Sequence, residues 1–256
     1  MSPARIPVLL GTGQVGTDGN ARFTDPALIQ QWVDIMAKHG QVGIDTSRLY
    51  GKGTSEKLLA QLNIEGMRLD TKIFPLSPGE HEPTKLKETF KLSLEALGPN
   101  KIRVFYLHAP DRSVPFEDTL EAVNELYKQG FFGGYLTGKL LDPSAKPEPG
   151  SHFDPKWHLS SMYIGRYKAT AAAVTDLNIT AEKHGLKLSE VAYRWMQHHS
   201  SLGPKDHGII LGVSNVQQLE DAITDCEKGP LPEEVAAACE ETWQRVKGTA
   251  NPQYWV

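Results

Sequence analysis

From "IPVLLGTGQVG" to "YKQG" the chain repeats one rhythm: a short apolar run, a polar or glycine turn, then a helix with one apolar face. Nothing else in the sequence restricts the fold as much, because strands separated by helices run parallel and pair through crossovers. After the first strand, "DPALIQQWVDIMAKHG" reads as a helix. Asp25 is a natural N-cap, Pro26 takes the first helical position, and Gly40 lies past the end. Leu28, Trp32, Ile35 and Met36 give it an apolar face. "QVGID" is a buried strand, and "TSEKLLAQL" is a helix capped by Thr54 or Ser55. "RLDTKIF" is a third strand. "EPTKLKETFKLSLEALG" is an amphipathic helix with Leu86, Phe90, Leu94 and Leu97 on one face. "KIRVFYLHAP" is a fourth strand and "PFEDTLEAVNELYKQG" a fourth helix.

Polar residues just beyond the strand ends favour a (β/α) barrel, whose chemistry gathers on that face. A doubly wound sheet fits less well. "GTGQVG" has a dinucleotide-type glycine spacing, but "TDGNARF" follows it instead of a helix. The rhythm breaks at "YKQGFFGGYLTGKLL", residues 127–141, where an aromatic pair meets a glycine pair and the expected strand is missing. Residues 142–165 look loop-like. A helix resumes over 166–184, and "LSEVAYRWMQHH" is another, capped by Ser189. "HGIILGVSN" is a buried strand, and "VQQLEDAITDCEKG" and "PEEVAAACEETWQRVKG" are the last helices.

The 256 residues fit one large α/β domain or two small ones and are read as a single domain, 1–256; 39% hydrophobic residues allow a sizeable core. A net charge of −4 gives no electrostatic reason to expect nucleic acid or an anionic membrane as partner. No apolar run approaches the roughly 20 residues of a membrane span, and the first residues lack the apolar core of a secretory signal. Cys226 and Cys239 have no metal-type spacing and read as reduced thiols in a reducing, cytoplasmic-type compartment. His198 and His199 are adjacent and there is no HExxH pattern, so no metal site is expected.

Asp45, Tyr50, Lys72 and His108 all fall at or just past the ends of consecutive strands. Each has an ordinary reading: a turn residue, a loop aromatic, a solvated strand end, a satisfied core histidine. Together their chemistry is complementary. A phenol is a poor acid at neutral pH, and a nearby ammonium favours its ionised form. Lys72 can supply that ammonium with Asp45 as counter-ion, His108 can donate a hydrogen bond to a carbonyl, and Tyr50 can deliver a proton. The set lacks a hydride source, which a cofactor must provide.

"GIDTSRLYGKGTSEKLL" resembles the aldo-keto reductase signature, an "IDTA-x-x-YG-x-(G)-x-SE" pattern. "DTKIFP" and "KIRVFYLHAPD" resemble that family's lysine and histidine strands. "GGYLTGKLL", "SEVAYRWMQHHS" and "HGIILGVSNVQQLEDAI" match its later part in the same order, closest to the aflatoxin-aldehyde reductase branch. The resemblance implies a (β/α)8 TIM-type barrel, NADP(H) as cofactor, reversible reduction of small-molecule aldehydes or ketones, and tetrad roles for Asp45, Tyr50, Lys72 and His108. It assigns Gly134, Leu136, Gly138 and Lys139 to the cofactor pyrophosphate, and Gly212, Ser214 and Gln218 to the adenosine phosphate. Ala222 stands where the family usually has Asn, and His152 where Arg is common. The plain alternative for the last strand is a strand–helix connection with Ser214 or Asn215 as cap.

The resemblance also explains the junction. About two βα units and most of strand seven, on the order of 65 residues, are missing between Phe132 and Gly133. The missing part would hold the nicotinamide, so weak or absent NADPH binding is expected. An open barrel edge could drive dimerisation or aggregation. Three functions stay open: an active reductase, for example one that tailors a secondary metabolite; a non-catalytic relative with a binding or structural role; and a barrel enzyme using Lys72 as a Schiff-base nucleophile.

Overall fold

The computed structural model describes residues 3–19, 21–115, 117–119 and 170–247. Its elements are β1 (Val8–Gly11), α1 (Pro26–Lys38), β2 (Gly43–Asp45), α2 (Thr54–Leu59), β3 (Arg68–Ile73), α3 (Pro83–Leu97) and β4 (Ile102–Leu107). After the undescribed stretch come α4 (Ala171–Lys183), α5 (Leu188–His198), β5 (Ile209–Leu211), α6 (Val216–Cys226) and α7 (Glu233–Val246). The strands form one sheet in the order β4-β3-β2-β1-β5. The pairs β1–β2, β2–β3 and β3–β4 are parallel, as the alternation requires. The last strand lies beside the first, where the closing strand of a barrel sits.

The chain packs as two compact units, one of Val8–Gly130 with Ile210–Leu219, the other of Met1–Pro7, Phe131–Ile209 and Glu220–Val256. In the first, alternation along β3 sends successive side chains to opposite faces. Ile73 joins Leu86, Phe90, Phe105 and Leu107 in an apolar layer beneath α3, whereas Lys72 reaches Asp45. In the second, α4, α5 and α7 enclose two apolar clusters. One is built on Val174, Leu177 and Leu188, the other on Ala181, Val191, Leu231 and Val235.

Several local expectations hold. The Asp25 side chain accepts the Ala27 N–H with Pro26 in the first turn, and Gly40 follows α1 with φ +68°. Others differ. The residue preceding α2 is Gly53, with φ +86°, where a Cβ would collide with the Arg48 guanidinium. Thr54 instead donates its hydroxyl to Gly51 O (2.6 Å) and accepts the Thr17 N–H (2.8 Å), so neither it nor Ser55 caps the helix. Helix α5 begins one residue before Ser189, after Lys187, with no side-chain cap. The helix expected over 115–130 falls almost wholly outside the described residues.

On α3, Leu86 and Leu97 are buried and Phe90 is half-buried, but Leu94 is 44% exposed and Ser93 is buried in its stead. At the helical period Ser93 and Leu97 stay in line with Leu86 and Phe90, whereas Leu94 falls at the edge of that stripe. Leu86→Ala should therefore destabilise the protein by about 2–4 kcal/mol, and Leu94→Ala should stay within about 0.5 kcal/mol, both read from urea midpoints.

Candidate active site

Parallel register brings the ends of β2, β3 and β4 side by side. Asp45 closes β2, Lys72 is the penultimate residue of β3, and His108 directly follows β4. Its N–H donates to Ile73 O (2.8 Å), extending the ladder by one residue. Tyr50 opens a 3₁₀ turn, Tyr50–Gly53, in which Gly51 and Lys52 both adopt positive φ. A Cβ on Gly51 would lie 2.6 Å from Thr54 Oγ1, so glycine is needed for this turn to close.

The four side chains converge. Lys72 Nζ donates to Asp45 Oδ1 and Oδ2, each at 2.6 Å, and to Thr46 O at 3.0 Å. Lys72 is 6% exposed, which excludes a solvated strand end. Its ammonium lies 5.1 Å from the centre of the Tyr50 ring. The Tyr50 and His108 rings meet edge-on, 5.7 Å apart at 85°, and Phe74 closes the other side of His108 at 5.6 Å.

Burial dominates the electrostatics. It lowers the Lys72 pKa, against an opposing pull from Asp45. It raises Tyr50 well above the ordinary phenol range, and the Asp45 charge adds to that. Sequence chemistry had pointed the other way, with the ammonium lowering the phenol; in the folded site desolvation wins and the hydroxyl keeps its proton. His108 is pulled down to about 4 by burial and then by the Lys72 charge, so its ring is neutral at pH 7.

Ser47, Glu56 and Asp111 carried no role in the sequence reading. Ser47, fully buried, donates its hydroxyl to Lys72 O (2.9 Å), accepts the Leu49 N–H (3.2 Å), and lies 3.2 Å from His108 Nδ1. Glu56 of α2, also fully buried, accepts from Thr71 Oγ1 (2.7 Å) and from Arg48 Nη1 (2.6 Å), fixing the helix under the site. A hydroxyl chain of Thr46, Ser55 and Thr12 runs back to Asp45 O. Asp111 ties the loops after β3 and β4 together: its carboxylate accepts from the His81 N–H, the Ser113 N–H and the Ser113 hydroxyl, while Ser113 Oγ accepts the Gly79 N–H. The repeated "S/T…E" and "D-x-S" spacings carried this signal, but such spacings are common in turns.

At the other predicted region, Gly212 follows β5 with open space where a Cβ would sit. The Ser214 N–H donates to Gln218 Oε1 (2.8 Å) and the Gln218 N–H to Asn215 Oδ1 (2.8 Å), so Asn215 caps α6. Ala222 is buried in the core. Gly134, Leu136, Gly138, Lys139 and His152 lie outside the described residues. A separate cleft of about 370 Å³, lined by Arg48, Lys57, Leu92, Glu95 and Ala96, contains none of the tetrad. Among the described residues no His, Cys, Asp or Glu cluster could hold a metal, and no helix is long and apolar enough to cross a membrane. Cys226 and Cys239 are free, with burial pushing their thiols up to about 12 and about 11.

The model of the aldo/keto reductase family matches residues 7–135 and 131–244. The chain belongs to the aldo/keto reductase family. The two matched segments meet at 131–135, on the junction where strands are missing, so this is a (β/α)8-type member shortened from within. An aldo-keto reductase of Pseudocercospora fijiensis is 31% identical over 295 positions, covering 87% of this chain and 99% of the relative. The aldo-keto reductase pigE of Monascus ruber is 28% identical over 333 positions, covering 98% and 97%. That alignment is longer than the chain itself, so the relative carries residues with no counterpart here. Aflatoxin B1 aldehyde reductase member 2 of mouse is 25% identical, covering 96% and 86%.

Solved structures agree on the fold. A glycerol dehydrogenase from Gluconobacter oxydans superposes with a TM-score of 0.65 at 17% identity, covering 98% of this chain and 97% of the other. An aldo-keto reductase from Klebsiella pneumoniae in complex with NADPH gives 0.55 at 15%, covering 99% and 97%. Family membership supports an oxidoreductase.

Asp111 gives a test of the loop clamp. Burial alone would raise its pKa, but hydrogen bonds from Ser113 and His81 outweigh burial and bring it to about 2. A carboxylate depressed in the folded state contributes stability above the ordinary carboxylate range and loses it as pH falls through the folded value. Asp111→Asn should cost about 1–3 kcal/mol at neutral pH. The gap to wild type should close between about pH 4 and pH 2, measured by urea denaturation across that range.

Proposed function

We propose that this chain reduces aldehyde or ketone carbonyls to alcohols with NADP(H) as hydride donor. The observation that carries this reading is the buried Lys72–Asp45 pair beside Tyr50, with His108 edge-on to the phenol, on the strand-end face of the sheet. Tyr50 acts as the general acid. Its raised pKa keeps the proton on the phenol until an alkoxide develops nearby, which is a much stronger base. Lys72 lies close enough for its charge to stabilise the phenolate that remains, and Asp45 keeps that ammonium charged and fixed in the interior. Asp45, Tyr50, Lys72 and His108 are thus the residues on which activity depends.

When bound, NADPH supplies the hydride. The described residues suit its adenosine end. Gly212 leaves room beside the chain, and Ser214 and Gln218 stand together at the start of α6. A helix start favours a phosphate, and here the Ser214 and Gln218 N–H groups would have to leave Gln218 Oε1 and Asn215 Oδ1 to reach one. Gly134, Leu136, Gly138 and Lys139 complete the assignment from sequence. The nicotinamide end lacks the residues that the missing segment would carry, so affinity should be lower than in a full-length relative. The name of the mouse relative, an aflatoxin B1 aldehyde reductase, supports an aldehyde as the substrate class.

Fluorescence titration with NADPH, followed by loss of NADPH absorbance on adding an aromatic aldehyde, tests the proposal. We expect detectable but weakened binding, and turnover that Tyr50→Phe lowers at least about 100-fold, the usual scale of a general acid's contribution. No binding by well-folded protein would make the tetrad a relic. Borohydride trapping of substrate on Lys72 would replace this mechanism with a Schiff-base one.

A further inference from the structure

The turn that carries Tyr50 runs through three consecutive residues of positive φ: Gly51 (+53°), Lys52 (+52°) and Gly53 (+86°). Glycine adopts that region readily, but a Cβ is crowded there. Lys52 is the one non-glycine residue with positive φ among the described residues, so its turn has to be held. Its ion pair with Asp18, at 3.4 Å, leaves both side chains more than half exposed, where such pairs contribute little. The stronger hold comes from Thr54. Its hydroxyl donates to Gly51 O (2.6 Å), its own N–H reaches Gly51 O and Tyr50 O, and its Oγ1 accepts the Thr17 N–H (2.8 Å). The last bond leads to the loop after β1, which lies against the turn. A Cβ on Gly16 would lie 2.7 Å from Thr54 Oγ1, and a Cβ on Gly51 would lie 2.6 Å from the same atom and 3.3 Å from Gly16 Cα. Two glycines thus make room for one hydroxyl. Three residues earlier the loop meets the phenol itself, since a Cβ on Gly13 would lie 3.8 Å from Tyr50 Cζ.

We propose that Thr54 is a positioning residue for Tyr50: its hydroxyl clamps the left-handed turn to the loop after β1, and so fixes both the backbone from which the phenol projects and the wall beside its ring. Without that hydroxyl, Lys52 relaxes out of its strained conformation, and the turn, with Tyr50 at its head, shifts relative to Lys72 and His108. The loss then falls on proton delivery more than on substrate capture, because misplacing a reacting group by about 1 Å can slow a reaction about 100-fold. The catalytic half of the proposal rests on the carbonyl-reductase reading; the clamp does not.

Thr54→Val removes the hydroxyl and keeps the shape, whereas Thr54→Ser keeps the hydroxyl. With NADPH and an aromatic aldehyde, we expect Thr54→Val to lower kcat at least about 10-fold with KM for the aldehyde within about 2-fold, and Thr54→Ser to stay near wild type. Adding Lys52→Gly to Thr54→Val should recover part of the loss, since glycine keeps a left-handed turn without strain. A variant that had only loosened the fold would gain nothing from an added glycine. NMR of the full chain labelled with 13C-tyrosine reads the clamp without turnover, the Tyr50 signals being identified by their loss in Tyr50→Phe. We expect one set of Tyr50 ring signals in wild type and Thr54→Ser, and a shifted or second set in Thr54→Val. Unchanged Tyr50 signals in folded Thr54→Val overturn the proposal, and so does an equal fall of kcat in Thr54→Ser and Thr54→Val. If Thr54→Val does not fold, Lys52→Val decides, at an exposed position where a β-branched residue opposes positive φ. It should shift the Tyr50 signals, and unchanged signals overturn the proposal. A complete lack of turnover by the wild type beside the expected spectra overturns the reductase reading and leaves the clamp standing.

Discussion

The buried ion pair between Lys72 and Asp45 is the constraint around which this site is built. An ammonium taken out of water is unstable unless it is paired and its hydrogen-bond capacity is filled. Here both carboxylate oxygens and Thr46 O supply that. Removing one partner of such a pair typically costs about 3–5 kcal/mol, because the other charge is left stranded. The pair joins adjacent strands across 27 residues of sequence and forms only if their register is right. A slip of one residue would send Lys72 to the helix side of the sheet.

The surroundings follow from that pair. Thr71, next to Lys72, points to the opposite face and meets Glu56 of α2, so the strand that presents the lysine also anchors the helix behind it. The same α2 receives the hydroxyl chain from Asp45 O through Thr12 and Ser55. Asp70, fully buried, binds Arg103 through two hydrogen bonds and ties β3 to β4 and thereby to His108. Polar groups this deeply placed are stable only as a satisfied network. The internal shortening falls after all of them. The strands of the candidate site are consecutive and pair with each other.

Much of this was legible from the chain. Strand and helix alternation, the Asp25 cap with Pro26, and the placement of four polar residues at strand ends rest on periodicity and backbone chemistry, which are local. Cap assignments at Thr54 and Ser189 failed because several residues in a row can cap, and the choice between them is made by what the backbone packs against. Leu94 fitted the apolar period of its helix but emerged in solvent, since the period describes a face and not how wide a strip of it is covered. Ser47, Glu56 and Asp111 were passed over because a hydroxyl or carboxylate in a turn looks the same in sequence whether it faces water or the site.

By itself the sequence determined the parallel α/β class, the family signature, and the point at which the barrel is interrupted, because each is written in the order and spacing of neighbouring residues. Only the tertiary structure decided how those residues act on one another. It raised the Tyr50 pKa where a nearby ammonium had been expected to lower it, because desolvation depends on burial and burial is a property of the packed chain. It also set Ser47 against His108, 61 residues apart, a contact that only folding brings within reach.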